Sequence, residues 1–510
     1  MFRVLFLLAF WACTVAGWDN GLARTPPLGY STWNFFPRVA INETTCYEQV
    51  DAIVETGLRD LGYTVFVVDE PCFVGRNKNG SLIENTTTWP RGLKAFGDYL
   101  HARGMKLGIY TDQGPLTCGR CVASEGHEMQ DMAQFAAMGA DYIKVDSCNR
   151  DVEPEHWAVF RDAINATGRP MVFSIIAQGQ KESWTWGNAT GNLWRTTHDI
   201  MNSFGGFTSN LDAQESVADI DKYAGPGAWN DPDMLIVGTK TNHGGSGITV
   251  AEARAHFSLW SVLKSPLLIS ADMTMIDPDF LDILKNEEVL AVNQDNLGVQ
   301  AKKIRGPSLG LTLSPCQSGN EFQMWAMNRS GAIVNSKANQ CLSVYGCSIH
   351  AGAAAIMFEC FPSGNSCNYK NQLWHFDTST GHLIANISSL CLSWDLDQVN
   401  CSTSDDTSWS YVDNQLIAGN DTSKCLTLPG ETSQGEIYAG PLEWGAFAAV
   451  LFNRETKGMN MTLSFTDIGL TNETQCGVRD LWMHKDLGIF TGSVSLEVDP
   501  HDVRMITLMP

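Results

Sequence analysis

Beyond residue 17 the chain has no apolar run long enough to cross a bilayer, which excludes a membrane span and leaves a mature protein expected to be soluble. Basic charge is scarce: 34 Lys and Arg stand against 56 Asp and Glu, for a formal net charge of −22. With a pI near 4.8 the surface repels phosphate backbones, so nucleic acid is excluded as a partner. No Gly-x-Gly-x-x-Gly follows the first candidate strand, which argues against a dinucleotide cofactor. The pair Cys118-x-x-Cys121 has no second such pair at zinc spacing, so no metal is expected. Helical periodicity is missing after Val299, which confines any α/β architecture to the first three hundred residues.

What is present begins with a secretory signal. Residues 1–17 carry one basic residue, Arg3, then an apolar run from Val4 to Val15 that closes on Ala16-Gly17. Once Cys13 leaves with the signal, an even set of cysteines remains, and in an exported chain that points to disulfides. Asn-x-Ser/Thr acceptors recur, among them Asn42, Asn79, Asn165, Asn328 and Asn460, at a density that agrees with passage through a secretory pathway. The expected location is therefore extracellular or lysosomal/vacuolar, where an acidic surface is partly neutralised.

From Leu28 onward short β-like runs alternate with stretches of helical period. Strands are predicted over 28–34, 63–70, 106–112, 141–146, 171–176, 192–199, 227–235 and 266–273, with helices near 44–57, 91–103, 126–139, 153–166, 209–222, 249–263 and 277–285. Eight such units fit a closed (β/α)8 TIM barrel better than an open doubly wound sheet. Acids and aromatics crowd the predicted strand ends: Trp33, Asp69-Glu70, Tyr110 with Asp112, Lys144 with Asp146, Arg195 with Asp199, and Asp231 with Asp233. In a barrel of this kind all those ends open on one face, where chemistry is done, and crowded like charges are poor choices for stability. The central stretch is Asp141-Tyr-Ile-Lys144-Val-Asp146-Ser-Cys148. Side chains alternate along a strand, so Lys144 and Asp146 project to the same side, an ammonium beside a carboxylate suited to be a nucleophile.

The β-rich remainder contains a repeat. Gly331…Cys341-Leu342, Gly381…Cys391-Leu392 and Asn414…Cys425-Leu426 align, with Gln323-x-Trp325, Gln372-x-Trp374 and Thr407-x-Trp409 in register. Three such units predict a small pseudo-threefold β module, followed from Tyr438 by plain β sequence.

These motifs together resemble glycoside hydrolase family 27, the α-galactosidases of clan D. The resemblance is carried by Thr25-Pro-Pro-Leu-Gly-Tyr-Ser-Thr-Trp33-Asn, Lys106-Leu-Gly-Ile-Tyr110, Lys144-Val-Asp146, Trp194-Arg195-Thr-Thr-His-Asp199, Gly225-Pro-Gly-Ala-Trp-Asn-Asp231-Pro-Asp233 and Val292-Asn-Gln-Asp295. It implies a catalytic barrel over 18–300, a C-terminal β-sandwich over 301–308 and 433–510, and a ricin-type β-trefoil inserted at 309–432. It also implies a carbohydrate substrate, no cofactor, and retaining hydrolysis with Asp146 as nucleophile and Asp199 as general acid/base. Trp33, Asp69, Glu70, Tyr110, Lys144, Arg195 and Asp233 then line the sugar site, with Lys144 and Tyr110 holding Asp146 ionised and Asp199 keeping its proton through desolvation and repulsion. Disulfides Cys46–Cys72 and Cys118–Cys148 are implied, with no partner for Cys121. The trefoil's remaining candidate sugar contact is Asp395.

The sequence departs from the family pattern at two places. Glu70 stands where α-galactosidases usually have Asp, as in family members acting on β-L-arabinopyranose. Ile176-Ala177-Gln178 replaces Cys-Glu-Trp, which removes a disulfide, an acid and a stacking ring, and leaves room for a 2-substituent as in α-N-acetylgalactosaminidases. The expected activity is that of an α-galactosidase, the alternatives being those two sister activities or a catalytically inactive galactose-binding lectin.

Overall fold

In the computed structural model the described residues are 18–34, 41–215, 220–240, 247–306, 311–338, 340–345, 348–349, 351–361, 367–401, 405–419, 421–428 and 435–510. The signal segment 1–17 lies outside them. Eight parallel strands form the first sheet: β1 (Leu28–Ser31), β2 (Val65–Val68), β3 (Lys106–Asp112), β4 (Ala140–Asp146), β5 (Val172–Ile175), β6 (Leu193–Arg195), β7 (Trp229–Asp231) and β8 (Leu267–Ile269). Their spatial order is β8-β1-β2-β3-β4-β5-β6-β7, and every neighbouring pair is parallel. A bridge from Leu235 to Ile269 joins the two free edges, which gives the sheet its barrel-like closure. The strands are buried on both sides, as a parallel sheet covered by helices requires.

Local sequence accounts for the crossings. Helix α1 (Glu43–Glu55) starts on a capping box between Asn42 and Thr45, α4 (Pro154–Ala166) on a proline in its first turn, and α7 (Val250–Val262) on a box between Thr249 and Glu252. The remaining crossings are α2 (Gly92–His101), α3 (Glu128–Met138) and α6 (Phe204–Glu215). Gly29 is required in β1, because a Cβ there would lie 2.2 Å from the Val65 carbonyl oxygen. One short helix has too few turns for a periodic signal and is absent from the sequence expectation: α9 (Glu287–Asn293), directly after α8 (Pro278–Leu284); α5 (Ser183–Gly187) falls in the stretch 177–192, which reads from sequence as a loop with at most a short helix.

After the barrel, strand Lys302–Arg305 pairs antiparallel with Glu436–Pro441, across more than one hundred intervening residues. It is the edge of a six-stranded sheet faced by the pair Met459–Ser464 and Ser493–Val498, and the two layers enclose Ile437, Leu451, Leu463, Val478 and Ile506. This is a C-terminal β-sandwich. The intervening residues form three four-stranded antiparallel sheets around a separate core. Trp325, Trp374 and Trp409 are buried there, and their indole N–H groups donate to the carbonyls of Leu426, Leu342 and Leu392. Each Trp therefore grips the Leu of a Cys-Leu pair, so the sequence repeat is a repeat in space.

Two disulfides, Cys72–Cys121 and Cys118–Cys148, staple the barrel mouth, and Cys316–Cys425, Cys341–Cys360 and Cys391–Cys401 staple the β segment. The expected Cys46–Cys72 pair is not formed. Cys46 is a buried free thiol on α1, packed into the helix–sheet core. Cys72 instead faces the 116–122 hairpin, because Val122 N–H binds the Phe73 carbonyl and draws that loop alongside. The hairpin's first cysteine meets Cys148 and its second meets Cys72, which supplies the partner that Cys121 lacked. Such disulfides belong to an oxidising, secretory-type environment. No helix among the described residues is long and apolar enough to cross a membrane.

Candidate active site

Asp146 ends β4 and is half-buried. One oxygen accepts the Ser147 N–H at 2.8 Å and the other the Tyr110 hydroxyl at 3.2 Å. Lys144, two residues earlier and on the same side of the strand, is buried and donates to Asp69 at 2.6 Å. Asp69 follows β2 directly, and its second carboxylate oxygen is buried with no partner in the protein. An unpaired buried carboxylate oxygen is costly unless a ligand donor meets it. Lys144 also lies 5.8 Å from the centre of the Trp33 ring and 5.4 Å from that of Tyr110.

The second cluster stands on β6 and β7. Arg195 is the last residue of β6, is buried, and forks between two acids: it reaches Asp199 at 3.2 Å and Asp233 at 3.0 Å. Asp233 further accepts the Ile200 N–H at 2.6 Å, so the backbone beyond Asp199 is tied to the same anchor. Its backbone is left-handed, at φ 88°, an uncommon conformation for a non-glycine residue and one often found at functional sites. Asp199 itself is half exposed (side chain 50%), and Gln178 approaches it at 3.4 Å.

Electrostatics differ from the sequence expectation in one respect. Burial pushes Asp146 up to about 7; Lys144 opposes the rise, while Asp199 and Asp112 add to it. The sequence reading assigns desolvation to Asp199, yet it falls on Asp146, because Asp146 sits inside the mouth while Asp199 stands at its rim on Arg195. Burial would discharge Lys144, but Asp69 and Asp146 outweigh it and hold the ammonium charged. Asp231 is raised to about 6, by burial first and Asp233 next, and Asp233 is also raised by burial.

Glu70 is buried, with a backbone φ of 51°. Its carboxylate accepts the Thr117 hydroxyl at 2.7 Å and the Gly119 N–H at 2.6 Å. The longer side chain thus reaches the loop that carries Cys118 and braces it from below. Asp112 holds the opposite side, accepting from Gly114 and Cys148 N–H groups. Ala177 is fully buried, so its methyl is no open wall. Asp395 is exposed on a turn of the inserted β segment, where its N–H donates to the Ser393 hydroxyl at 3.2 Å.

All the predicted barrel residues lie within four residues of the C-terminal end of a strand of the parallel sheet. Sequence reasoning missed Gln178 as a contact of Asp199 and Thr117 and Gly119 as the seat of Glu70. Gln178 had a signal, standing just past β5; the loop contacts had none. Near Asp146 the Cys118 and Cys148 sulfurs and Asp112 lie together, but the sulfurs are joined to each other and offer no thiolate to a metal.

The sequence pattern of the family described as Alpha galactosidase A matches residues 25–295. That of the Alpha galactosidase C-terminal beta sandwich domain matches 432–508. The chain is 32% identical over 497 residues to Alpha-galactosidase 3 of Arabidopsis thaliana, covering 96% of this chain and 83% of that protein. It is 42% identical over 314 residues to an α-galactosidase of Oryza sativa subsp. japonica, covering 60% of this chain and 70% of that one. In fold it is similar to α-galactosidase I from Mortierella vinacea, with a TM-score of 0.67 at 23% identity over 96% of this chain and 98% of the other.

Proposed function

This chain belongs to the α-galactosidase A family and is a glycoside hydrolase, an α-galactosidase, and we propose that it cleaves terminal α-galactosyl residues by double displacement with Asp146 as nucleophile and Asp199 as acid/base. The observation that carries this reading is the asymmetry of the two carboxylates. Asp146 sits within reach of Tyr110 and in the field of Lys144, while Asp199 is presented at the rim by Arg195, open to a leaving group and to water.

In the first step an Asp146 oxygen attacks the anomeric carbon as the glycosidic C–O bond breaks, and Asp199 gives its proton to the departing oxygen. In the second, Asp199 takes a proton from water, whose oxygen displaces Asp146 from the same carbon. Lys144 and Tyr110 stabilise the Asp146 anion; Arg195 keeps Asp199 aimed. Asp146 attacks only as the anion, and burial pushes its carboxyl up to about 7, so activity is expected to fall as pH drops below that value. The partnerless Asp69 oxygen is placed to accept a sugar hydroxyl, and Trp33 to flank the ring.

The first-formed anomer of galactose, read by proton NMR within the first turnovers, is expected to be α; a β product would refute double displacement. Glu70 supports one second reading, β-L-arabinopyranosidase, since its extra methylene changes the pocket beside Asp69. Nitrophenyl α-galactoside, β-L-arabinopyranoside and α-N-acetylgalactosaminide separate the three sister activities, and hydrolysis of the arabinoside without the galactoside would favour that reading.

The domain reading is 18–300 for the barrel, 301–308 with 433–510 for the sandwich, and a ricin-type β-trefoil at 309–432. The three sheets and the cyclic Trp–Leu hydrogen bonds support the trefoil. Asp395 would be its sugar contact; Asp395→Ala should then weaken retention on galactose resin and leave hydrolysis unchanged. Export through the secretory pathway, with glycans on the Asn-x-Ser/Thr acceptors, completes the reading and puts the enzyme outside the cell or in a lysosome or vacuole.

A further inference from the structure

Side chains of the inserted β segment reach the mouth of the barrel, and two of them land on Thr196 and His198, three residues and one residue before Asp199. Tyr345 follows the strand Gln340–Val344, and Phe358 lies on the partner strand Ala355–Glu359. The Tyr345 hydroxyl donates to the Thr196 carbonyl at 2.6 Å, and its ring meets Trp184 of α5 edge-on at 5.8 Å. Phe358 meets the His198 imidazole edge-on, ring centres 4.7 Å apart, and is backed by Phe361 at 5.8 Å. Tyr345, Phe358 and His198 are all buried.

These contacts complete a clamp that the barrel supplies only in part. Past β6 the backbone leaves regular structure, so its polar groups need partners. The Thr196 N–H binds Asp231, the His198 carbonyl accepts from Asn210, and the Ile200 N–H binds Asp233, all within the barrel. The Thr196 carbonyl is taken by the insert. Gly179 is pressed into the same junction: at φ 76°, a Cβ there would lie 2.6 Å from the Thr196 oxygen and 2.9 Å from the Tyr345 hydroxyl. Its neighbour Gln178 and Thr196's neighbour Arg195 both hydrogen-bond the Asp199 carboxylate. Movement of this junction would therefore move both supports of Asp199 together.

We propose that the inserted β segment positions the acid/base carboxylate, with Tyr345 and Phe358 acting through Thr196 and His198 on Asp199. This rests on the assignment of Asp199 given above. A proton donor displaced by about 1 Å loses on the order of 10²-fold in rate. The loss is selective, because a leaving group that departs readily as an anion needs no proton from the enzyme.

The test uses Tyr345→Phe in the full-length protein, which removes one oxygen, with Phe358→Leu as a second variant and Asp199→Ala as reference. kcat/KM is measured on an alkyl α-galactoside and on 2,4-dinitrophenyl α-galactoside, and turnover of the latter is measured with added azide, which attacks the glycosyl-enzyme without a general base. For Tyr345→Phe the expected result is about a tenfold fall on the alkyl substrate, a change within about twofold on the dinitrophenyl one, and acceleration by azide. Asp199→Ala should show the same pattern more strongly. An equal fall on both substrates, or no fall on either, overturns the positioning role. If Asp199→Ala itself shows neither leaving-group dependence nor azide rescue, the acid/base assignment falls first, in a variant whose insert is intact.

Discussion

Replacing Asp146 by Asn should change the pH dependence of stability as well as abolish turnover. Burial holds the folded-state pKa at about 7, against about 3.9 for an unfolded Asp. The sign follows from proton counts. Below pH 4 both states carry the proton and Asp146 costs nothing. Between pH 4 and 7 the unfolded chain has released its proton while the folded chain still holds it, so rising pH favours unfolding. Above 7 both are ionised and the penalty is constant. Three units correspond to about 4 kcal/mol. Asp146 is only half-buried and shares its charge with Lys144, so about 2 kcal/mol is the working figure, screened accordingly. Asn has no such titration. With about 280 cooperative residues in the barrel and roughly 2.1 cal/mol/K of unfolding entropy per residue, the variant's midpoint should exceed the parent's by about 3 to 7 °C at pH 7.5. At pH 4 the two should agree within about 1 °C.

Thermal unfolding followed by tryptophan fluorescence, at half-unit steps from pH 4 to 8, reads this difference directly. Asp231 at about 6 and Glu215 at about 7 are also raised, chiefly by burial, and contribute to the parent's own decline. They are common to both proteins and cancel. A midpoint difference that stays flat across the range, or one favouring the parent at pH 7.5, would show that Lys144 and not burial governs Asp146. The same substitution should lower kcat by at least about 10³-fold, since no carboxylate remains to form the covalent intermediate.

Lys144→Met leaves Asp69 buried without its cation, so the barrel should lose about 3 kcal/mol in chemical denaturation and the enzyme nearly all activity. Tyr110→Phe removes one neutral donor to Asp146 and should lower kcat/KM by roughly tenfold with little change in stability, about 1 kcal/mol in each. Peptide mapping after alkylation without reduction should find Cys46 alkylated and Cys72 linked to Cys121; a Cys46–Cys72 peptide would contradict the fold around the 116–122 hairpin. Glu70→Gln keeps the length but not the charge that Thr117 and Gly119 bind; a loosened loop should show as faster proteolysis between Thr117 and Cys121.

Much of this arrangement is legible in the residues alone. Strand β3 matches its prediction residue for residue and β4 begins one residue earlier, because alternating β-branched and aromatic residues bounded by glycines leave little choice of period. The predicted strands 192–199 and 227–235 are too long. Leu193–Arg195 and Trp229–Asp231 stop where Thr197 and Pro232 begin to bind one another and Asn210, while the Thr196 hydroxyl binds Gln214, contacts that a propensity argument cannot weigh. The cysteine pairing fails for a related reason. Which sulfur meets Cys72 depends on where the 116–122 hairpin lies, and that is set by its bonds to the Phe73 carbonyl, the Glu70 carboxylate and the Asn149 amide, none of which leaves a trace in the spacing of cysteines.

The two departures from the family pattern turn out to have unequal weight. By sequence, Glu70 lines the sugar site in place of the usual Asp; in the fold its carboxylate is spent on the Cys118 loop, so its effect on the pocket passes through that loop and Tyr110, which lies against the Cys118 sulfur. By sequence, Gln178 is a loss, a ring replaced by an amide. Yet it is the amide that reaches Asp199, at a junction completed by Tyr345 from outside the barrel. At that strand end the Asp199 carboxylate is met by the Gln178 amide, and the junction beneath it is completed by Tyr345, 167 positions further along the chain, in a segment whose repeats alone mark it as a separate β module.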